Sequence, residues 1–441
     1  MYPLTRQHLS QALSSLEIPD ITSATIRQIG ALASTMEKMA EEKMVHLEIG
    51  NPGLPSEQIG VEAEIEALRS GVANKYPDIA GIASLKKNGS RFIKAFLDVD
   101  VPEKGIVPTV GSMQGCFTLM QLLKLRIPSK DTLLMLYPGF PAQRHQAKVL
   151  GLGLEGFDIY EYRGKALEPK LEEYFKTGRI TALLYSNPNN PAWTNLTDEE
   201  MEIIGRLATK YDVIVLEDLA YMGMDFRTDY SHPYKAPFIS TVAKYTDNYI
   251  LLASGSKIFS YAGQRIAMVC MSESVYDRHY ESLASFFEMP AFGDAYIYGI
   301  LYCASSGVSH SAQYALSAMM EAAVEGRLDF VGHSREYGRR AGIVKELFDR
   351  NGFDLVYKLD GAVPISDGFF LTVSYGNMTS EELQSELLRY GIATISLPST
   401  GSEQNGVRVT VSMISEDETF RMLETRLAQF DADHSACVET A

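Results

Sequence analysis

Tyr249-Ile-Leu-Leu-Ala253 runs directly into Ser254-Gly-Ser-Lys257-Ile-Phe-Ser-Tyr-Ala-Gly263-Gln-Arg265. A short apolar run bounded by polar and small residues reads as a buried strand. Lys257 therefore stands at the end of such a strand, with Ser254 and Ser256 beside it and Arg265 eight residues on. An amine in that position is desolvated enough to form a Schiff base, and the hydroxyls and guanidinium suit a phosphate. The combination points to pyridoxal 5'-phosphate (PLP). The same short stretch also suits an ordinary strand-end lysine on the surface, so the rest of the chain has to decide.

The chain has 441 residues, enough for two or three domains, with 46% hydrophobic and 22% charged residues. The net charge of -16 argues against a general affinity for nucleic acid or anionic membrane. An anionic cofactor then needs local positive groups, for which Lys257, Arg265 and Arg408 are the candidates. Cys116, Cys270, Cys303 and Cys437 are scattered, with no CxxC pair. Three lie in apolar contexts and read as reduced core residues, which predicts a cytoplasmic protein. The start, Met-Tyr-Pro-Leu-Thr-Arg-Gln-His, lacks the basic-then-apolar pattern of a signal peptide, and no apolar run reaches membrane-spanning length. The eight histidines show no metal-ligand spacing, so no metal is expected.

From about 105 to 271 short apolar runs alternate with amphipathic stretches. The runs are Gly105–Val110, Thr132–Leu136, Ile180–Tyr185, Val213–Leu216, Tyr249–Ala253 and Ile266–Met271. Helical patterns such as Gln114–Lys124 and Asp198–Lys210 lie between them. This alternation predicts an α/β fold, a mostly parallel sheet with helices on both faces. Thr197, with acids at 198–200, is a helix start. Residues 1–48 are polar and helical in pattern and end in the strand-like Val45–Ile49; they read as an N-terminal arm and part of a smaller unit. Residues 49–310 form the large cofactor-binding unit in this reading, and 311–441 a smaller α+β domain. In the last, a helical stretch Ser311–Asn351, with an interruption expected near Gly332, precedes a strand run Gly368–Ser374. A helix Ser380–Tyr390 and strands Ile392–Ser396 and Gly406–Ser412 follow.

Ligands of open α/β sheets bind beyond the carboxyl ends of the strands, and five successive strand ends here carry polar or small residues. The first has Gly111-Ser-Met-Gln-Gly115 opening a helix, whose free backbone N–H groups suit a phosphate or simply make a cap. The second has Tyr137-Pro-Gly-Phe140, in which Phe140 stacks on a flat ring or fills the core. The third has Ser186-Asn187-Pro-Asn-Asn190-Pro-Ala-Trp193, a rigid turn that presents amide groups. The fourth has Glu217-Asp218-Leu-Ala-Tyr221. A carboxylate at a buried strand end is costly unless paired, and a pyridinium N–H is a suitable partner for Asp218. The fifth carries Ser254, Ser256 and Lys257. Each signal has an ordinary structural reading. A single cofactor accounts for all five falling in order on one sheet edge.

In these features the chain resembles the fold-type I PLP-dependent enzymes of the class I/II aminotransferase family, over nearly its whole length. The resemblance implies a seven-stranded, mostly parallel sheet sandwiched by helices, with a smaller α+β domain. It further implies that Lys257 forms the Schiff base, that Asp218 pairs with the pyridine nitrogen, and that Tyr221 and Asn190 pair with the phenolic oxygen. By the same resemblance Ser112, Met113, Gln114, Ser254, Ser256 and Arg265 hold the phosphate, and Phe140 stacks on the ring. Arg408 grips the substrate α-carboxylate and Gly50 lies over the substrate. Tyr76 is lent to a partner's phosphate in a homodimer with shared active sites. The family's usual continuation after the second Asn-Pro step is Thr-Gly, where this chain has Ala192-Trp193. That departure and the unassigned segment 222–248 leave the substrates, an amino acid and a 2-oxo acid, unspecified. The expected reaction is amino-group transfer (EC 2.6.1). A PLP-dependent C–S β-lyase uses the same residues and stands as the alternative. A non-catalytic PLP-binding regulator is the reading from another class.

Overall fold

The computed structural model describes the chain from Tyr2 to Val438; the side chain of Cys437 lies outside the described residues. Seven strands form the central sheet. They are β1 (Ile106–Thr109), β2 (Thr132–Tyr137), β3 (Gly153–Asp158), β4 (Ile180–Ser186), β5 (Ile214–Asp218), β6 (Tyr249–Ser254) and β7 (Ala267–Met271). Their order is β1-β7-β6-β5-β4-β2-β3. Only β7 runs antiparallel to its neighbours. The mostly parallel seven-stranded sheet expected above is thus present.

The strands are apolar on both faces because helices cover both. Alternate residues go to opposite sides. Leu134, Leu183, Val215, Leu251 and Met268 belong to one buried cluster, and Leu133, Ala182, Leu216, Leu252 and Val269 to the other. The strand that no apolar run announces is β3. Its sequence Gly-Leu-Glu-Gly-Phe-Asp is poor in strand formers, and it lies at the sheet edge, paired with β2 alone. The Thr197 start is a full capping box: Thr197 Oγ1 accepts the Glu200 amide at 3.3 Å and Glu200 Oε2 accepts the Thr197 amide at 2.8 Å.

In the C-terminal third, Phe353–Leu355, Phe370–Tyr375, Ile395–Ser396 and Val407–Thr410 form a four-stranded antiparallel sheet. The run Ile392–Ser396, expected as one strand, is two. Ile392–Ala393 pairs in parallel with Val45–His46, and Ile395–Ser396 pairs with Val407–Arg408. The N-terminal helices Arg6–Ser15 and Ile26–Ala40 pack on Leu388, Ala393 and Ile395. The helical stretch after 310 divides into His310–Val324 and Phe330–Arg350, the break falling just before Gly332, whose amide Asp329 caps at 2.7 Å. The first of these helices packs in the same cluster as the large sheet, through Ala312, Leu316 and Met319.

The hairpin Leu359–Pro364 is fixed to the large sheet's loops by one buried carboxylate. Asp360 accepts from Arg163 Nη1 at 3.1 Å, Arg227 Nη2 at 2.6 Å and the Asn195 amide at 3.0 Å. Segment 222–248, unassigned from sequence, supplies Arg227. It also lies along helix Ala83–Leu97, with Tyr234 N bonding Ala95 O and Ile239 N bonding Phe96 O. Removing a carboxylate that serves two guanidinium groups and a backbone amide loses three hydrogen bonds, two of them charge-assisted, and leaves Arg163 with Glu200 and Arg227 with Asp225. We expect Asp360→Ala to cost about 3 kcal/mol, read as a fall of several degrees in the thermal unfolding midpoint, with Asp360→Asn intermediate.

Candidate active site

Lys257 occupies the first turn of a four-residue helix, Gly255–Ile258, that starts where β6 ends. Ser254 caps it, accepting the Ser256 amide at 3.1 Å and donating to Ser256 Oγ at 3.0 Å. The partly buried Lys257 amine donates to the carbonyl of Gly50 and lies 5.4 Å from the centroid of the Phe369 ring. Burial, with the positive charges of Arg265 and Arg408, lowers its pKa from the ordinary lysine value to about 7. An amine so placed has a substantial neutral, nucleophilic fraction near pH 7, where an ordinary lysine has almost none.

Asp218 ends β5, the strand that pairs directly with β6, from whose end Lys257 projects. Its carboxyl is buried and accepts from the Ala220 amide at 3.2 Å and from Gln143 Nε2 at 3.1 Å. Burial raises its pKa to about 6, against the lowering effect of those two donors. A cationic N–H donor would favour its ionised form. Tyr221, three residues on, is buried against Trp193, Phe369 and Phe370. Burial pushes its phenol well above the ordinary range; Asp218 adds to that and Arg408 opposes it.

At the end of β1 the chain turns through Gly111 at φ +67°. A Cβ there would lie 2.4 Å from Arg265 Nη2, so only glycine lets the guanidinium lie against this turn. Ser112 follows, its hydroxyl oxygen buried and without a partner. Helix Gly111–Arg126 thus begins with an orphaned hydroxyl, free backbone N–H groups and an arginine over its first turn, an arrangement chemically suited to a phosphate. Met113 is partly exposed and its carbonyl accepts Gln146 Nε2 at 2.8 Å. Gln114 uses its side-chain oxygen on the Val110 amide at 2.8 Å.

Arg408 comes from the small sheet and reaches the same place. It is buried, with Nη1 donating to Asn190 Oδ1 at 3.2 Å, Nη2 donating to the Glu48 carbonyl at 2.5 Å, and Nε buried without a partner. Its guanidinium lies 4.8 Å from the Phe370 ring centroid. Burial lowers its pKa to about 10. Of the turn amides, Asn190 alone faces Arg408. Asn187 and Asn189 hold the turn itself, accepting from Leu196 N at 3.0 Å and Ala192 N at 2.9 Å.

The remaining candidates lie as follows. Gly50 joins the cluster through its carbonyl. Phe140 is partly buried at the N-cap of helix Pro141–Val149. Tyr76 is 92% exposed. Trp193 is wholly buried between Tyr221 and Phe370. The sequence reading missed Gln143, which touches Asp218, Glu48, whose carbonyl holds Arg408, and the pair Phe369-Phe370. Gln143 and Gln146 stand three apart on one helix face, directly after Phe140-Pro141, and that spacing was the available signal.

Comparisons with known proteins bear on the family and the fold. Residues 42–425 match the family model for aminotransferase class I and II. The chain is 27% identical over 235 residues to a glutamate–pyruvate aminotransferase of Escherichia coli strain K12, covering 52% of this chain and 54% of that one. It is 26% identical over 264 residues to an asparagine–oxo-acid transaminase of Streptococcus mutans, covering 58% and 62%. These matches thus span little more than half of those relatives' own length. Among solved structures, a double mutant of Thermus thermophilus aspartate aminotransferase superposes with a TM-score of 0.75 at 20% identity, over 98% of this chain and 100% of that one, a likeness of fold. On the family match, which takes in every site residue described above, this chain belongs to the class I and II aminotransferase family.

Proposed function

We propose that the protein is a PLP-dependent aminotransferase, moving an amino group between an L-amino acid and a 2-oxo acid. The observation that carries the reading is the convergence of three groups at one sheet edge: the depressed amine of Lys257, the buried carboxyl of Asp218 and the buried fork of Arg408. When bound, PLP supplies an aldehyde for the amino group and a ring that takes up the electron pair left at Cα. Gly111, Ser112 and Arg265 fit its phosphate, joined by the amides of Met113 and Gln114 and by Ser254 and Ser256. Asp218, kept in place by Gln143 and the Ala220 amide, fits its ring nitrogen. Tyr221 and Asn190 fit its phenolic oxygen, and Phe140 one face of its ring.

Arg408 binds the substrate carboxylate through its remaining donors, with Asn190 and Glu48 fixing the orientation of the fork. That hold places Cα beside Lys257. Lys257, in its neutral form, would remove the proton at Cα and deliver it, on the same face, to the carbon beyond the amino nitrogen that the cofactor's aldehyde supplies. The aromatic wall of Tyr221, Phe369 and Phe370 limits water around that transfer. Tyr76, exposed on its own chain, supports a homodimer in which it completes the partner's phosphate site. The unpaired, buried Cys116 and Cys270 support a cytoplasmic location.

Visible absorbance and a panel of single amino acids test the reading. Wild-type protein with PLP should give a yellow band that is bleached by its amino donor and restored by a 2-oxo acid. Lys257→Ala should lose both the band and turnover; full activity in that variant overturns the assignment. Release of pyruvate and ammonia from cystathionine, with no oxo-acid acceptor, would instead mark the β-lyase.

Two further outcomes follow from the charges. The proton-accepting form of Lys257 is the neutral one, so kcat should fall as pH drops through about 7 and level off above it, seen in a pH–rate profile at saturating donor. Arg408→Lys keeps the charge but loses the planar fork, so kcat/KM for the amino donor should drop roughly 10- to 100-fold. Steady-state kinetics on both substrates read that loss.

A further inference from the structure

Two carbonyls of one short segment hold both functional cations: Glu48 O accepts Arg408 Nη2 and Gly50 O accepts the Lys257 amine. The segment follows strand Val45–His46 and is tied to the strand that carries Arg408 by a bond from the Thr410 amide to Leu47 O at 2.9 Å. What fixes its middle is a chain of side chains. Glu48 is wholly buried. Its Oε1 lies 2.8 Å from His46 Nδ1, and its Oε2 is buried without any partner. On its other side His46 Nε2 lies 3.5 Å from Glu37 Oε1, which also accepts the Met44 amide at 2.7 Å.

A wholly buried carboxyl with one oxygen unsatisfied is unfavourable unless its charge or its placement is used. The charged groups facing it are His46 and, from the strand Val407–Thr410, Arg408; those facing His46 are Glu48 and Glu37 from helix Ile26–Ala40. A hydrophobic residue at 48 would fill the space without that cost, so packing alone does not account for the acid.

We propose that Glu48 and His46 are positioning residues for amino-acid binding: the Glu37–His46–Glu48 chain holds the Glu48 carbonyl where it orients Arg408, although neither side chain touches the substrate. The proposal rests on the aminotransferase reading for the role of Arg408. Lys257 leaves the Gly50 carbonyl before it acts at Cα, so a disturbed segment should weaken carboxylate binding more than it slows proton transfer.

Two measurements test this. In cofactor-free protein, the His46 ring titration followed by NMR reports the pair directly. The carboxylate of Glu48 raises the His46 pKa, chiefly through their hydrogen bond, so Glu48→Gln should lower the midpoint. In PLP-loaded enzyme, Glu48→Gln and His46→Gln should each raise KM for the amino donor about tenfold while kcat stays within about threefold. If Glu48→Gln does not melt cooperatively, His46→Gln carries the kinetic test. An unmoved His46 titration, an unchanged KM in folded variants, or equal losses in kcat and affinity would each overturn the proposal. Wild-type protein that gives no visible band with PLP would overturn the aminotransferase reading, and the His46 titration would still decide whether the pair exists.

Discussion

The constraint on which the site depends is the removal of one amine from water. Lys257 is placed where a sheet strand gives way to a single helical turn, so its backbone is held by the sheet and its side chain is aimed past the sheet edge. The pocket offers the ammonium form one carbonyl and an aromatic face, and two guanidinium groups at longer range. Those cations disfavour a third positive charge, and burial disfavours any charge, so both act in the same direction on the amine. The same burial acts oppositely on Asp218, raising its pKa against the lowering effect of its two neutral donors. One desolvated edge therefore tunes a base and an acid together, without either touching the other.

Burying so much charge has a structural counterpart further out. Arg163 divides its guanidinium between Glu200 and Asp360, and Arg227 between Asp225 and Asp360. These pairs lie behind the Asn187–Asn190 turn, where Asn195 shares Asp360. The segment that continues the turn is thus anchored to the hairpin Leu359–Pro364 by the Asn195 hydrogen bond to Asp360, and the turn meets the small sheet through Arg408 itself. Ion pairs of this kind add modest net stability and fix relative placement, which is what a site assembled from two sheets requires.

Much of this was legible in the sequence because the signals are local. Six of the seven central strands are apolar runs, the capping box at Thr197 occupies four residues, Asp218 and Ser254 end their strands, and Ser112 and Lys257 lie within three residues of theirs. What was not legible depends on packing. The edge strand Gly153–Asp158 needs only one neighbour and therefore little β-propensity. The run Ile392–Ser396 reads as one strand, yet Thr394 separates pieces that join different sheets. Gln143 and Glu48 earn their places only once a helix and the N-terminal arm fold against the sheet, since their partners are 75 and 360 residues away. Segment 222–248 lacks regular structure over most of its length, and its function as an anchor appears only through Asp360.

Trp193 ties these levels together. It sits at φ +63°, a conformation that an L side chain of its size adopts at a cost of order 1–3 kcal/mol. Such a cost persists only where the surroundings over-determine it. Here the indole is wholly buried, edge-on to Tyr221 at 5.5 Å and to Phe370 at 6.0 Å. Room for it exists because residue 368 is glycine; a Cβ there would lie 2.0 Å from the indole Cε2. Burial of an aromatic of this size is worth a few kcal/mol, enough to offset the backbone strain. Trp193 also lies three residues after Asn190 and packs on the ring over which Arg408 sits. Trp193 therefore packs the end of the Asn-Pro turn against Tyr221 and against the Phe370 ring on which the Arg408 guanidinium lies.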